Sequence, residues 1–167
     1  MFYNLYRFVD KIVVGLAFLG GAVILIQTAW ISYGVFMRYV LNSPDRMVTE
    51  ATALLLVPVA FAGLAFALRE NAYPAVTFLT DNLSETPKLF LKRLNLIIKF
   101  AIGVFLSMAA VSATMNSYES GASSEILLWP RVYFWLPVAF ALCLFTFYCG
   151  LQFIGTFLKS QDTAQRG

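Results

Sequence analysis

Histidine is absent from this chain, and only two of its 167 residues are cysteine. The first absence removes the commonest metal ligand, the ordinary general base near neutral pH and any histidine-ligated haem. The second excludes a disulfide framework. Cys143 and Cys149 lie six residues apart on one apolar stretch, about 9 Å along a helix axis, which no disulfide spans. They read as buried apolar fillers. Charge is scarce as well: 13% of residues are Asp, Glu, Lys or Arg, about half the share of a soluble domain, while 60% are hydrophobic. So few charges cannot cover a water-facing surface, and most of the surface must face lipid or another apolar protein. The net charge of +3 gives no case for nucleic-acid binding. There is no phosphate-cradling glycine loop and no nucleophile with a base beside it, so neither an enzyme nor a cofactor is expected.

What the chain does have is long apolar runs. Crossing about 30 Å of hydrocarbon at 1.5 Å per residue takes about 20 residues. Ile12 to Met37 is uncharged for 26 residues, Ala51 to Leu68 for 18, and Val132 to Leu158 for 27. A fourth run, Phe100 to Tyr118, is uncharged and extends back to Leu89 past Lys92, Arg93 and Lys99. The reading is an all-α integral membrane protein, one domain of four transmembrane helices over about 12–37, 47–69, 89–116 and 131–158. Continuous apolar runs do not suit a β-barrel, whose strands alternate. With both termini cytoplasmic, nine of the twelve Lys and Arg residues fall on the inner side, and only Arg38, Arg46 and Arg131 lie outside. Trp30, Trp129 and Trp135 then sit toward the outer interface, where an indole keeps its ring apolar and its N–H wet.

The apolar stretch of the first span is too long for a signal peptide and no small-residue cleavage pattern follows it. MFYNLYRFVDK, the first eleven residues, reads as a short amphipathic segment along the inner headgroups. The last eight, SQDTAQRG, read as a disordered polar tail. Ser43 is the expected N-cap of the second helix, with Pro44 at its first position, making the outer hairpin tight. Thr86 and Pro87 mark the start of the third helix, which would run to about Asn116, roughly 45 Å, and must tilt or project from the bilayer. On it, Lys88, Lys92, Asn95 and Lys99 form one polar stripe, suited either to anionic lipid or an acidic partner, or to snorkelling cations at the inner interface. Pro58 should bend the second span; Pro130 suits a first turn, and Pro137 should loosen the last helix near its outer end. Small-residue pairs (Ala17 and Gly21, Gly63 and Ala67, Gly103 and Ser107) permit close helix approach.

Every Asp, Glu, Lys and Arg lies near a span end or in a loop, whereas proteins that carry ions keep ionisable groups at mid-membrane. Glu50 comes closest, with Arg46 one turn before it and Arg38 across the hairpin. These three are expected to form a structural charge cluster, with an Arg46–Glu50 ion pair at its centre. A chain of this kind supports a mover of solutes instead of being one. The alternatives are a self-sufficient four-span exporter acting as a homodimer, which would need an intramembrane acid, and a membrane anchor of another complex, such as a redox enzyme.

FMRYVLNSPDRMVTEATALLLVPVAFAGLAFALRE in the first hairpin and YFWLP at the last span resemble the small membrane subunit (DctQ-like) of TRAP transporters, the tripartite ATP-independent periplasmic systems. The resemblance covers roughly Leu5 to Leu158. It is carried by Arg38 and Tyr39 closing the first span, Glu50 opening the second, Gly63 within it, Arg69 at its inner end, and Tyr133 to Pro137. Where such chains often carry a histidine after the Arg69 position, this one reads RENAYPAV, and the repeated prolines before the last span are missing. The resemblance implies a sodium-coupled importer of an organic acid, such as a C4-dicarboxylate or sialic acid, in a bacterial inner membrane. A periplasmic binding protein captures the substrate, and a large permease subunit moves it by an elevator mechanism. The small subunit packs on the large one. Its implied interface positions here are Arg38, Tyr39, Arg46, Glu50, Gly63, Arg69, Tyr133 and Pro137, toward the permease or the binding protein. Lys88, Lys92 and Lys99 would face lipid or partner.

Overall fold

The computed structural model describes residues 2–43, 45–70, 72 and 85–164. Pro44, most of the stretch after Arg69, and the side chains of Lys88 and Lys92 lie outside the described residues. Five helices are formed there: α1 Phe2–Tyr39, α2 Arg46–Ala62, α3 Leu64–Arg69, α4 Glu85–Glu119 and α5 Val132–Ala164. Among the described residues, four stretches are long and apolar enough to cross a membrane: α1 from Asn4, the α2–α3 pair, α4 from Arg93, and α5 to Thr156.

Several local expectations are corrected. No separate amphipathic segment precedes the first span; α1 is one 38-residue helix, because nothing between Phe2 and Tyr39 breaks the hydrogen-bond ladder. The cap of α2 is Asp45 and not Ser43: its Oδ1 accepts the Met47 N–H at 2.8 Å, so the helix opens at Arg46. Asn42 takes a left-handed φ of 51°, which lets the Ser43 N–H turn back to the Met37 carbonyl at 3.1 Å and closes α1. The second span is interrupted at Gly63, five residues beyond Pro58, where the chain makes a turn before α3. Pro130 sits outside α5, paired with Ser123 across a short bridge, and its carbonyl accepts the Tyr133 N–H. Pro137 lies within α5, which continues past it to Ala164. The tail continues α5 as far as Ala164, since Ser160 to Ala164 includes neither glycine nor proline to stop it.

Helix α5 is the centre of the bundle. Half of its most apolar stretch is buried, against 17% in each of the other three spans. It packs most extensively on α4 and also contacts α2, α3 and α1, while α1 packs chiefly on α2. Two interior clusters result. Toward the Arg69 end, Val9 and Val13 of α1, Ala65 and Leu68 of α3, and Leu144, Phe145 and Tyr148 of α5 pack together. Toward the opposite end, Ala110 of α4 meets Val138, Ala139 and Leu142 of α5. Between apolar helices in lipid, close packing replaces the hydrophobic drive. Accordingly, a Cβ on Gly34 would lie 2.7 Å from Val48, one on Gly20 3.1 Å from Ala62, and one on Gly103 2.7 Å from the Thr146 hydroxyl. Of the small-residue pairs read from the sequence, Gly103 and Ser107 face α5, whereas Gly21 and Gly63 meet open space. Cys149 is buried as expected; Cys143 is exposed, because it lies on a different face of α5.

Candidate functional site

The second span is tied at both ends, and the ties hold the most concentrated polar chemistry among the described residues. At the end nearer Arg46, Glu50 occupies the second turn of α2, and its carboxylate reaches the loop between α4 and α5. Oε1 accepts the N–H of Glu125 at 2.7 Å and that of Ile126 at 3.1 Å. Oε2 accepts Ile126 at 3.0 Å and Leu127 at 2.6 Å. Three successive backbone N–H groups converging on an anion form a nest, and charge-assisted bonds of this kind are the strong ones. The Arg131 guanidinium adds a favourable charge interaction.

The loop is shaped to present those N–H groups. Gly121 takes a φ of 61°, and the Ser124 N–H to Trp129 carbonyl and Arg131 N–H to Ala122 carbonyl bonds, each 2.9 Å, zip the loop's two arms together. The buried Ser124 hydroxyl accepts the Trp129 N–H at 3.1 Å, and Leu128 holds a strained φ of 55°. Glu125, Ile126 and Leu127 are left at the tip without partners inside the loop for their N–H groups, and Glu50 supplies the acceptor.

The expected Arg46–Glu50 ion pair is therefore not formed. A carboxylate offers about four lone-pair sites, and the loop takes all four of the bonds observed at Glu50. Arg38 and Arg46 instead line a separate crevice between α1 and α2, where the Arg38 guanidinium lies 5.7 Å from the centroid of the Tyr39 ring. The expected three-residue cluster is thus divided between two places.

At the other end, Arg69 closes α3. Its Nε donates to Asp10 Oδ1 of α1 at 2.6 Å, and its Nη1 donates to Glu70. The Tyr148 hydroxyl of α5 donates to the same Asp10 oxygen at 3.2 Å and lies 2.9 Å from the Tyr6 hydroxyl, the two rings being stacked. Arg69 also lies over the Phe66 ring. A polar cavity of about 430 Å³ opens among Tyr6, Asp10, Arg69 and Tyr148. Three helices meet at one carboxylate oxygen. Sequence reading identified Arg69 but neither Asp10, Tyr6 nor Tyr148; the available signal was a hydroxyl and an acid at the ends of otherwise apolar runs.

Glu50 and Arg69 are 19 residues apart, roughly 28 Å along a helix, close to the thickness of bilayer hydrocarbon. Of the remaining expected positions, Gly63 is the break between α2 and α3, Tyr133 and Pro137 are exposed on the first turns of α5, and Lys99 is half-buried on α4. Among the described residues no group of three or more His, Cys, Asp or Glu could hold a metal ion.

A multi-pass helical membrane protein, apolar through its middle and tied by charge at its two faces, is the class these features define. Residues 27–159 match the family model described as tripartite ATP-independent periplasmic transporters, DctQ component. The chain belongs to that family, one of non-enzymatic transporter components. It is also similar to the sialic acid TRAP transporter small permease protein SiaQ of Vibrio cholerae serotype O1, 28% identical over 83 residues. That match takes in 50% of this chain and 45% of the relative, so the chain covers less than half of the relative's length.

Proposed function

We propose that this chain is the small accessory subunit of a sodium-coupled TRAP transporter, a static scaffold that packs on the large elevator-type permease subunit. The observation that carries the reading is the engagement of Glu50, Asp10 and Arg69 in ties within the chain, at the two ends of a span that is uncharged between them. Proteins that carry ions across the membrane keep ionisable groups at mid-depth; here the charged groups stiffen the ends. The broad apolar faces of α1 and α4, with Phe18, Leu25, Phe105 and Met108 exposed, suit lipid and a large hydrophobic partner.

The substrate is an organic acid, of the sialic acid type by analogy with the relative's name or of the C4-dicarboxylate type, and it is handled by the other subunits. Both termini face the cytoplasm of a bacterial inner membrane, following the Lys and Arg distribution. Arg38, Tyr39, Arg46 and Tyr133 then lie on the periplasmic side, where a substrate-binding protein docks. Reconstitution tests the reading. Proteoliposomes holding this chain alone should take up no organic acid, and those holding the chain, its large subunit and its binding protein should show sodium-dependent uptake. Sodium-driven uptake by the chain alone would overturn it in favour of a self-sufficient carrier.

A further inference from the structure

The crevice between α1 and α2 takes no part in the ties described above. It encloses about 600 Å³ and is lined along the two helices from Arg38 and Arg46 at its mouth down to Ile31 on one side and Ala53 on the other. Seven residues separate each arginine from the deepest lining residue of its helix, roughly 10 Å of depth. The walls are Ile31, Val35, Val48 and Ala53 with the hydroxyl-bearing Thr49 and Thr52, and Val48 closes tightly on Gly34. The cationic mouth is at the level where α1 ends and α2 begins, and the apolar part runs into the span.

Neither arginine is in an ion pair among the described residues. Glu50 is engaged on the loop N–H groups, and Asp45, whose Oδ1 caps α2, is the one acid in the crevice lining, so two guanidinium groups against one carboxylate leave the mouth net positive. Guanidinium groups match phosphate oxygens in geometry and charge. Below them the lining is mostly apolar, with Thr49 and Thr52 as its polar members, and it runs into the stretches of α1 and α2 that are apolar enough to cross a membrane. A phosphate with an attached hydrocarbon tail satisfies both halves of the crevice.

We infer that the α1–α2 crevice is a binding site for one anionic phospholipid, its phosphate held between Arg38 and Arg46 and an acyl chain lying along Ile31, Val35 and Val48. An anionic headgroup such as phosphatidylglycerol is preferred over phosphatidylethanolamine, whose ammonium would be brought close to two cations. The site belongs to whichever leaflet holds the Arg38 end and does not depend on the transport reading.

Native mass spectrometry of the full chain, released from detergent after incubation with equimolar phosphatidylglycerol and phosphatidylethanolamine, tests it. One phosphatidylglycerol should be retained about tenfold more than phosphatidylethanolamine. The double variant R38Q/R46Q should lose that preference, while K11Q, which removes an exposed cation outside the crevice, should keep it. Ala53→Phe, which fills the apolar wall, should weaken phosphatidylglycerol retention. Equal retention of the two lipids by the unmodified chain overturns the inference without recourse to any variant. So does unchanged retention in A53F, or inorganic phosphate competing as strongly as the lipid, since either would mark a bare anion site. Crosslinking of a cysteine placed at Val35 to a partner helix in the assembled transporter would also overturn it, by assigning the crevice to protein.

Discussion

Gly103→Ala offers the sharpest test of how α4 and α5 are held. The added Cβ would lie 2.7 Å from Thr146 Oγ1 and 3.2 Å from two ring carbons of Phe145, against an ordinary contact of 3.4 Å or more. Rotating Thr146 away is costly, because its hydroxyl lies 3.0 Å from Ser107 Oγ and donates to the Leu142 carbonyl at 2.9 Å. Moving the helices apart instead loosens the largest interface in the bundle. Overpacking of this kind costs about 1–3 kcal/mol, and replacing glycine by alanine in a helix returns at most about 1 kcal/mol. Gly103→Ala should therefore destabilise the protein by about 1 kcal/mol. Thr146→Ala alone removes one interhelical hydrogen bond, about 0.6 kcal/mol in a membrane protein. With Thr146→Ala in place the closest obstacle is gone, the Phe145 ring at 3.2 Å need give only a few tenths of an ångström, and the added methyl should be close to neutral. The double-mutant cycle should then show a coupling of about 1–2 kcal/mol. Unfolding by sodium dodecyl sulfate in mixed micelles, followed by tryptophan fluorescence, measures it. Two substitutions that add to within about 0.5 kcal/mol would refute the packing argument.

Other substitutions separate the remaining contacts. Glu50→Gln replaces an acceptor oxygen with an N–H donor facing the Leu127 or Ile126 N–H, so exchange at the amides of residues 125–127 should accelerate while α1 is unchanged; hydrogen exchange by mass spectrometry reads this, and equal protection would remove Glu50 from the loop. Asp10→Asn and Arg69→Gln should each lower the melting temperature in detergent, and the exchange Asp10→Arg with Arg69→Asp should recover part of the loss. Recovery should be incomplete, because Tyr148 also donates to Asp10. Gly34→Ala should destabilise the α1–α2 hairpin, since the stiff, buried Val48 stands 2.7 Å from the new methyl. Gly21→Ala, into open space, should be neutral or stabilising by up to about 1 kcal/mol. Matched melts of the two variants decide the point.

Some of this was legible in the residues and some was not. Runs of apolar side chains announce spans because the bilayer demands about 20 of them in succession, and Arg69 stood out as a cation closing such a run. The cap at Asp45 was misread because Ser43–Pro44 is itself a good start signal; backbone geometry at Asn42 delayed the helix by two residues. Glu50 was identified, but its partner was not. Every residue except proline carries a backbone N–H, so a nest in residues 125–127 leaves no mark in the side chains that spell the sequence.

The sequence by itself determined the presence of four long apolar stretches, the confinement of charge to their ends, and the family to which the chain belongs. These follow from composition along a line: the cost of placing a charge in hydrocarbon acts on each residue separately. Only the tertiary structure decided that α5 is the central helix, that Glu50 binds a loop 75 residues away, and that Asp10, Arg69 and Tyr148 meet at one oxygen. Those choices depend on how helix faces rotate and how closely glycine lets them approach, and a linear order of residues fixes neither.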